Sequence, residues 1–116
     1  MAAYGIGLLH DVDLGPAIVE YLEQIDETLA PYGGRFIVHG GEQTRFEGDS
    51  DAVIVIIEFP DRAAADGWYR SDAYQAIIPL RAEHSRSEVW ILDGVEAGHI
   101  ATDVLPAALL DAAPRG

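Results

Sequence analysis

A chain of 116 residues, 49% of them hydrophobic, is sized for one domain with a compact core. Its 20 acidic against 7 basic residues give a formal charge of -13, which opposes phosphate backbones and anionic lipid surfaces, so neither nucleic acid nor a membrane is an expected partner. No apolar run approaches the roughly 20 residues that span a bilayer, and the absence of cysteine removes disulfides, thiol nucleophiles and thiolate metal sites together, which suits a cytoplasmic protein.

Residues 1–9 carry no cationic stretch ahead of their short apolar run, so they read as a first strand and not as a signal peptide. The strand covers residues 3–9, and Gly5 and Gly7 fall on one of its faces, where a helix, a strand or a ligand can approach the backbone. Close helix packing is the simpler use of that space. Pro16 opens a helix at the turn where its missing N–H does no harm. Ile18, Leu22, Ile25 and Leu29 then recur at helical spacing, with Glu20, Glu23 and Glu27 on the solvated side. Pro31 tightens the last turn and Gly33 supplies the left-handed residue that closes it.

The second strand spans residues 35–39, is interrupted by Gly40-Gly41 and is expected to resume over residues 43–46. A turn at residues 47–51 leads into a third strand, residues 52–59, whose β-branched run suits a central position covered on both faces. Folding this hairpin about its tip sets His39 opposite Glu58 or Phe59, according to whether a bulge shifts the register by one. Asp61 caps a helix over residues 62–70 with Ala64, Ala65, Trp68 and Tyr69 as its apolar stripe. Ser71 caps a further piece, residues 72–78, which Pro79 restarts or kinks before residues 80–84. Residues 88–92 form the last strand.

The resulting β-α-β-β-α-β order is the ferredoxin-like split βαβ pattern, an α+β fold with an antiparallel sheet and its helices on one face. That domain fills residues 1–95. A tail, residues 96–116, carries Ile100, Val104, Leu105, Leu109 and Leu110 as a stripe too short to be stable alone, and it is expected to pack on its own domain or on a second subunit. The central strands place large apolar side chains on both faces of the sheet while the helices cover only one. A homodimer is the expected way to cover the other.

Taken as an ordered set, Tyr32-Gly33-Gly34-Arg35-Phe36, Gly40-Gly41, Glu47-Gly48, Ile57-Glu58-Phe59-Pro60, Ala64, Trp68-Tyr69-Arg70-Ser71, Tyr74-Gln75 and Pro79-Leu80-Arg81 resemble the family known as domain of unknown function 1330. The resemblance runs roughly from Tyr4 to Val95 and implies the dimeric α/β-barrel superfamily. Members of that superfamily include cofactor-independent monooxygenases, small-ring isomerases, haem-using enzymes and ligand binders without catalysis, so the resemblance speaks to fold more than to function. This chain departs from the family pattern in having His39 before the glycine pair, where a cationic or apolar residue is common, and in its tail beyond Val95.

The strongest chemical constellation is His39, Glu58 and Arg81. An imidazole near neutral pKa moves protons, a carboxylate orients it, and a guanidinium clamps an anionic oxygen. His39 and Glu58 are the catalytic candidates, and Arg81, Tyr69, Tyr74, Arg35 and Trp68 are the substrate-binding ones, the aromatic rings forming an apolar wall. The competing reading makes Glu58 and Arg81 an ion pair, His39 a bulge cap and the tyrosines core residues. The histidines at 10, 39, 84 and 99 show no short ligand spacing, so no metal is expected. No cofactor is expected either, since no local motif marks a haem ligand or a phosphate loop. The sequence therefore points to a small-molecule enzyme or binder acting on a compact metabolite, with a dimerisation or ligand-sensing module as the alternative.

Overall fold

The computed structural model describes residues 1–112, and the side-chain surroundings of residues 1–109. In chain order it forms β1 (Ala3–His10), α1 (Pro16–Leu29), β2 (Arg35–His39), β3 (Val53–Phe59), α2 (Arg62–Arg70), α3 (Asp72–Ala82), β4 (Arg86–Asp93) and a short α4 (Ala107–Ala112). The strands make one antiparallel sheet in the order β2-β3-β1-β4, so each βαβ half takes a strand of the other half between its own two. This is the ferredoxin-like arrangement expected from the element order.

Local chemistry sets most of the element ends. Pro16 occupies the first turn of α1, a 3-10 turn at Ala30–Tyr32 tightens its exit, and Gly33 closes it at φ +67°. The Asp61 carboxylate accepts from the Ala64 N–H at 2.8 Å to start α2. Ser71 ends α2 by donating to the Trp68 carbonyl at 2.7 Å, and starts α3 by accepting from the Tyr74 N–H at 3.2 Å.

Gly34 is needed for space. A Cβ there would lie 2.7 Å from Phe59 Cε1 and 2.8 Å from Leu29 Cδ2, and both of those side chains are buried in the core. Gly34→Ala is expected to destabilise by about 1–3 kcal/mol through overpacking. Urea denaturation reads this directly, and a midpoint indistinguishable from wild type would mean that the two neighbours yield.

Three expectations about the elements are corrected. α3 passes through Pro79 without a break. The carbonyl that the proline leaves without a donor belongs to Gln75, and both residues are exposed, so water can replace the lost bond. On α1, Leu22 is exposed while Tyr21 and Thr28 are buried beside Ile18, Ile25 and Leu29, which rotates the packed stripe by part of a turn. Finally, β2 ends at His39 and does not resume over residues 43–46. Gly40 and Gly41 both take positive φ, at +69° and +89°, and turn the chain out of the sheet, so residues 41–51 are exposed throughout.

Register divides the sheet into two faces. Ala3, Gly5 and Gly7 of β1 stand beside Phe59, Ile57 and Val55 of β3 and, for the two glycines, beside Ile91 and Val89 of β4. This face meets the helices, and its core joins Phe59 and Ile57 to Leu29, Ile25, Trp68, Tyr74 and Ile77. The other face carries Tyr4, Ile6, Leu8, Ile54, Ile56, Trp90 and Leu92, where Trp90 is 43% and Leu92 48% exposed. Among the described residues no helix covers this face, and the loop at residues 43–52 reaches only its Leu8–Ile54 end.

The described residues of the tail do not cover that face, nor do they form one helix. A 3-10 turn at Ala101–Val104 precedes α4, and Ile100, Val104 and Leu109 are exposed; Leu110 lies outside the residues whose side chains are described. The Cα radius of gyration, 17.3 Å, exceeds the roughly 13 Å typical of a compact domain of about 100 residues. The exposed stretches at 41–51 and 95–104 account for that excess in kind. Among the described residues, no helix is long and apolar enough to cross a membrane.

Candidate functional site

Between α1, α3 and the helix-covered face of the sheet lies a cavity of about 90 Å³. Gly5 and Gly7 form its floor, Ile18, Tyr21 and Ile25 one wall, and Trp68 and Tyr74 another. An added Cβ at Gly7 would meet only ordinary contacts, 3.6 Å from Leu9 Cδ1 and 3.8 Å from Val55 Cβ. The paired glycines therefore leave room for a guest on this face, beyond what helix packing alone requires.

β2 delivers Phe36 and His39 to the same cavity by means of a bulge. Phe36 pairs with Ile57 and His39 with Val55, while the register shifts between Phe36 and Val38 and leaves Ile37 as the extra residue. Residues three apart in a regular strand point to opposite faces; the inserted Ile37 reverses that parity. The Phe36 ring and the His39 imidazole consequently stack, with centroids 4.3 Å apart and planes at 11°. His39 lines the cavity while remaining exposed, which places it at the mouth.

The expected pairing of His39 with Glu58 does not form, because β2 and β3 are joined by a long loop and not by a tight turn that would fix register from the tip. Val55 stands where Glu58 or Phe59 was expected, and Glu58 lies opposite Arg35 and Tyr4 on the open face. There Arg35 Nη2 donates to Glu58 Oε1 at 2.7 Å, with Nε at 3.1 Å from the same oxygen. Glu58 is thus removed from both His39 and Arg81. Tyr69 does not line the cavity; it packs edge-on to Trp68 at 6.2 Å and against Tyr74 at 5.6 Å.

Arg81, Trp68 and Tyr74 do converge on the cavity. The Trp68 indole lies 3.9 Å from the Tyr74 ring and donates from Nε1 to Thr28 Oγ1 at 2.9 Å, and Thr28 in turn donates to the Ile25 carbonyl at 2.7 Å. Arg81 is 6% exposed, yet it has no carboxylate partner among the described residues, and no aspartate or glutamate lines the cavity. Its Nη1 donates to Ser87 Oγ at 2.5 Å, and its Nε is buried with no hydrogen-bond partner among the described residues.

Beside it, the hydroxyls of Tyr21 and Tyr74 are 2.8 Å apart, and the guanidinium carbon lies 5.9 Å from the Tyr21 ring centroid. Burial, then the neighbouring Tyr74, pushes the Tyr21 hydroxyl above the ordinary tyrosine range, while Arg81 pulls the other way. Burial opposes the charge on Arg81, but the facing hydroxyls of Tyr74 and Tyr21 more than offset it, so the guanidinium stays charged.

Tyr21 and Ser87 are the site residues that sequence reasoning missed, although periodicity contains both. Tyr21 belongs to the 18-21-25-28 series of α1, and Ser87 alternates with Val89 and Ile91 on the inner face of β4.

Comparison with known proteins places the chain among related folds. The family model for domain of unknown function DUF1330 matches residues 2–95. Among solved structures, RPA0582, a protein of unknown function from Rhodopseudomonas palustris, is similar at 18% identity and TM-score 0.61, over 82% of this chain and 83% of that one. A dimeric ferredoxin-like protein of unknown function from Jannaschia sp. CCS1 matches at 20% identity and TM-score 0.56, over 81% of this chain and 100% of the other. A point variant of SnoaB, a cofactor-independent oxygenase from Streptomyces nogalater, matches at 15% identity and TM-score 0.57, over 84% and 96%. No curated protein matches the chain.

Proposed function

The chain belongs to the DUF1330 family, and from that premise we propose that it is a cytoplasmic homodimer whose subunits each hold a compact, mostly apolar metabolite between sheet and helices. The observation that carries this reading is the cavity floored by Gly5 and Gly7, apolar along its walls and holding a charged Arg81. Chemistry in it would be proton transfer without a bound cofactor, with His39 at the mouth as acid/base, a mode in keeping with the description of SnoaB as a cofactor-independent oxygenase. The open apolar face supports the homodimer, as does the dimeric assembly named for the Jannaschia protein.

A second reading, ligand sensing without turnover, is favoured by one feature. His39 stacks on Phe36, and among the described residues no carboxylate orients it.

A thermal-shift screen of small aromatic and aliphatic metabolites tests the cavity, since a ligand that binds only the folded state raises apparent stability by mass action. Gly7→Val keeps a good strand former at that position and fills part of the space, so it is expected to retain the fold and lose the ligand-induced shift. With a turned-over substrate in hand, His39→Gln separates the two readings. Enzymatic use of the imidazole predicts a fall in rate of about 10² to 10⁴, whereas an unchanged rate removes His39 from the chemistry.

A further inference from the structure

A buried cation without a counterion is the least expected feature of so acidic a chain. With a formal charge of -13, carboxylates are abundant, yet none reaches Arg81 among the described residues. Desolvating a guanidinium is unfavourable unless its donors are satisfied. Here one is satisfied by Ser87 and the Tyr21 and Tyr74 hydroxyls face the group, while Nε–H has no partner among the described residues. We infer that Arg81, Tyr21, Tyr74 and Ser87 form a receptor for a single oxyanion, and that the natural ligand is a compact monocarboxylate with an apolar, planar body. The inference rests on the cavity being a ligand site, and names what the ligand must carry.

Proton counting supports the assignment. The Tyr21 and Tyr74 hydroxyls own two protons between them, and their mutual hydrogen bond at 2.8 Å uses one. The second is free to donate to a guest. Ser87 Oγ accepts from Arg81 and retains its own proton. A guanidinium offers planar pairs of N–H groups that match both oxygens of a carboxylate, and Arg81 keeps N–H groups beyond the one given to Ser87. Arg81, Tyr21, Tyr74 and Ser87 therefore offer donors at this end of the cavity, and no acidic side chain among the described residues lines it to compete with an anion.

The other end determines the body of the ligand. Trp68, Phe36, Val55 and Ile57 offer ring faces and aliphatic surface, and a volume near 90 Å³ suits a compact, apolar body. One fixed cation, with the second basic side chain, His39, only at the mouth, also suits one negative charge better than a phosphate dianion.

Benzoate, benzamide and toluene are the probes that separate charge from shape. Calorimetric titration of the wild-type protein is expected to give benzoate a Kd about tenfold or more below that of benzamide, the size of effect a charge-assisted hydrogen bond confers. The Arg81 Nε–H resonance in the ¹H–¹⁵N spectrum should move on adding benzoate and stay in place with toluene. Arg81→Met, close in length and neutral, is expected to bring the two Kd values within about twofold while toluene binding persists. If that variant does not fold, Tyr21→Phe, which keeps the ring, should weaken benzoate several-fold and leave toluene unaffected.

Equal binding of all three probes by wild type would overturn the oxyanion receptor and leave the cavity as a plain apolar site. Binding of none of them, or equally good binding by Gly7→Val, would overturn the ligand site itself, and this inference with it.

Discussion

Trp68→Ala is expected to remove a large part of the stability of the domain. The indole is 2% exposed, lies 3.9 Å from the Tyr74 ring and 5.4 Å from the Phe59 ring, and donates the only hydrogen bond that the Thr28 oxygen accepts among the described side chains. Truncating a buried tryptophan typically costs about 3–5 kcal/mol, against a total stability of about 5–15 kcal/mol for a domain of ordinary size. Each kcal/mol lowers the midpoint by roughly 4–8 °C in a domain of about 60–100 residues, so the variant should melt about 12–40 °C below wild type. Trp68→Phe keeps an aromatic ring against Tyr74 and loses the Thr28 contact, and should fall between the two. Circular dichroism melts of the three proteins check the order. A loss under about 1 kcal/mol for the alanine variant would mean that α2 packs more loosely against α1 than the contacts indicate.

The second large effect concerns assembly. Wild-type protein is expected to sediment as a homodimer at micromolar concentration, through an interface of roughly 2,000 Å² or more in total. Trp90 sits on β4 beside Ile6, on the face that no helix covers, and is 43% exposed in the single chain. Introducing a carboxylate there with Trp90→Glu removes an aromatic anchor and forces a charge into apolar contact. Anchors of this kind contribute about 2 kcal/mol or more, which raises Kd by about 30-fold or more. Val19→Glu, on the solvent side of α1, is the control and should leave the dimer unchanged. Sedimentation equilibrium decides the matter, and a folded wild-type monomer at micromolar concentration would show that the open face is not an interface.

What the sequence made legible follows from where the chemistry is local. α2 was readable to the residue because both of its ends are written in adjacent side chains, Asp61 and Ser71. Pro16 and Gly33 marked α1 and its exit in the same way. The β2–β3 register was not readable, because a tight turn would have carried it and residues 41–51 form none. Which strand residues face each other then depends on how apolar side chains from distant segments sort between two faces, information that is spread over the whole sheet. The same gap separated Glu58 from His39 and gave it to Arg35.

Arg81, Tyr74 and Trp68 were recognisable as candidates by residue type, but the missing counterion of Arg81 was not. An unsatisfied donor is a property of what fails to arrive, and no local pattern records it. Tyr21 was passed over because the stripe on α1 was drawn through Leu22, one position along, and a helix face is about a hundred degrees wide.

The extra residue in β2 bears on how this site can change. Every position C-terminal to Ile37 in that strand takes its facing from a single insertion. A deletion of one residue there would turn His39 away from the cavity and toward the open face of the sheet, with no change in any other side chain that lines the cavity. The histidine would be intact and its surroundings exchanged. Two homologues that differ by one residue in this strand can therefore share nearly all their site residues and still present different groups to the ligand, so length in this short stretch discriminates between them as sharply as a substitution in the pocket.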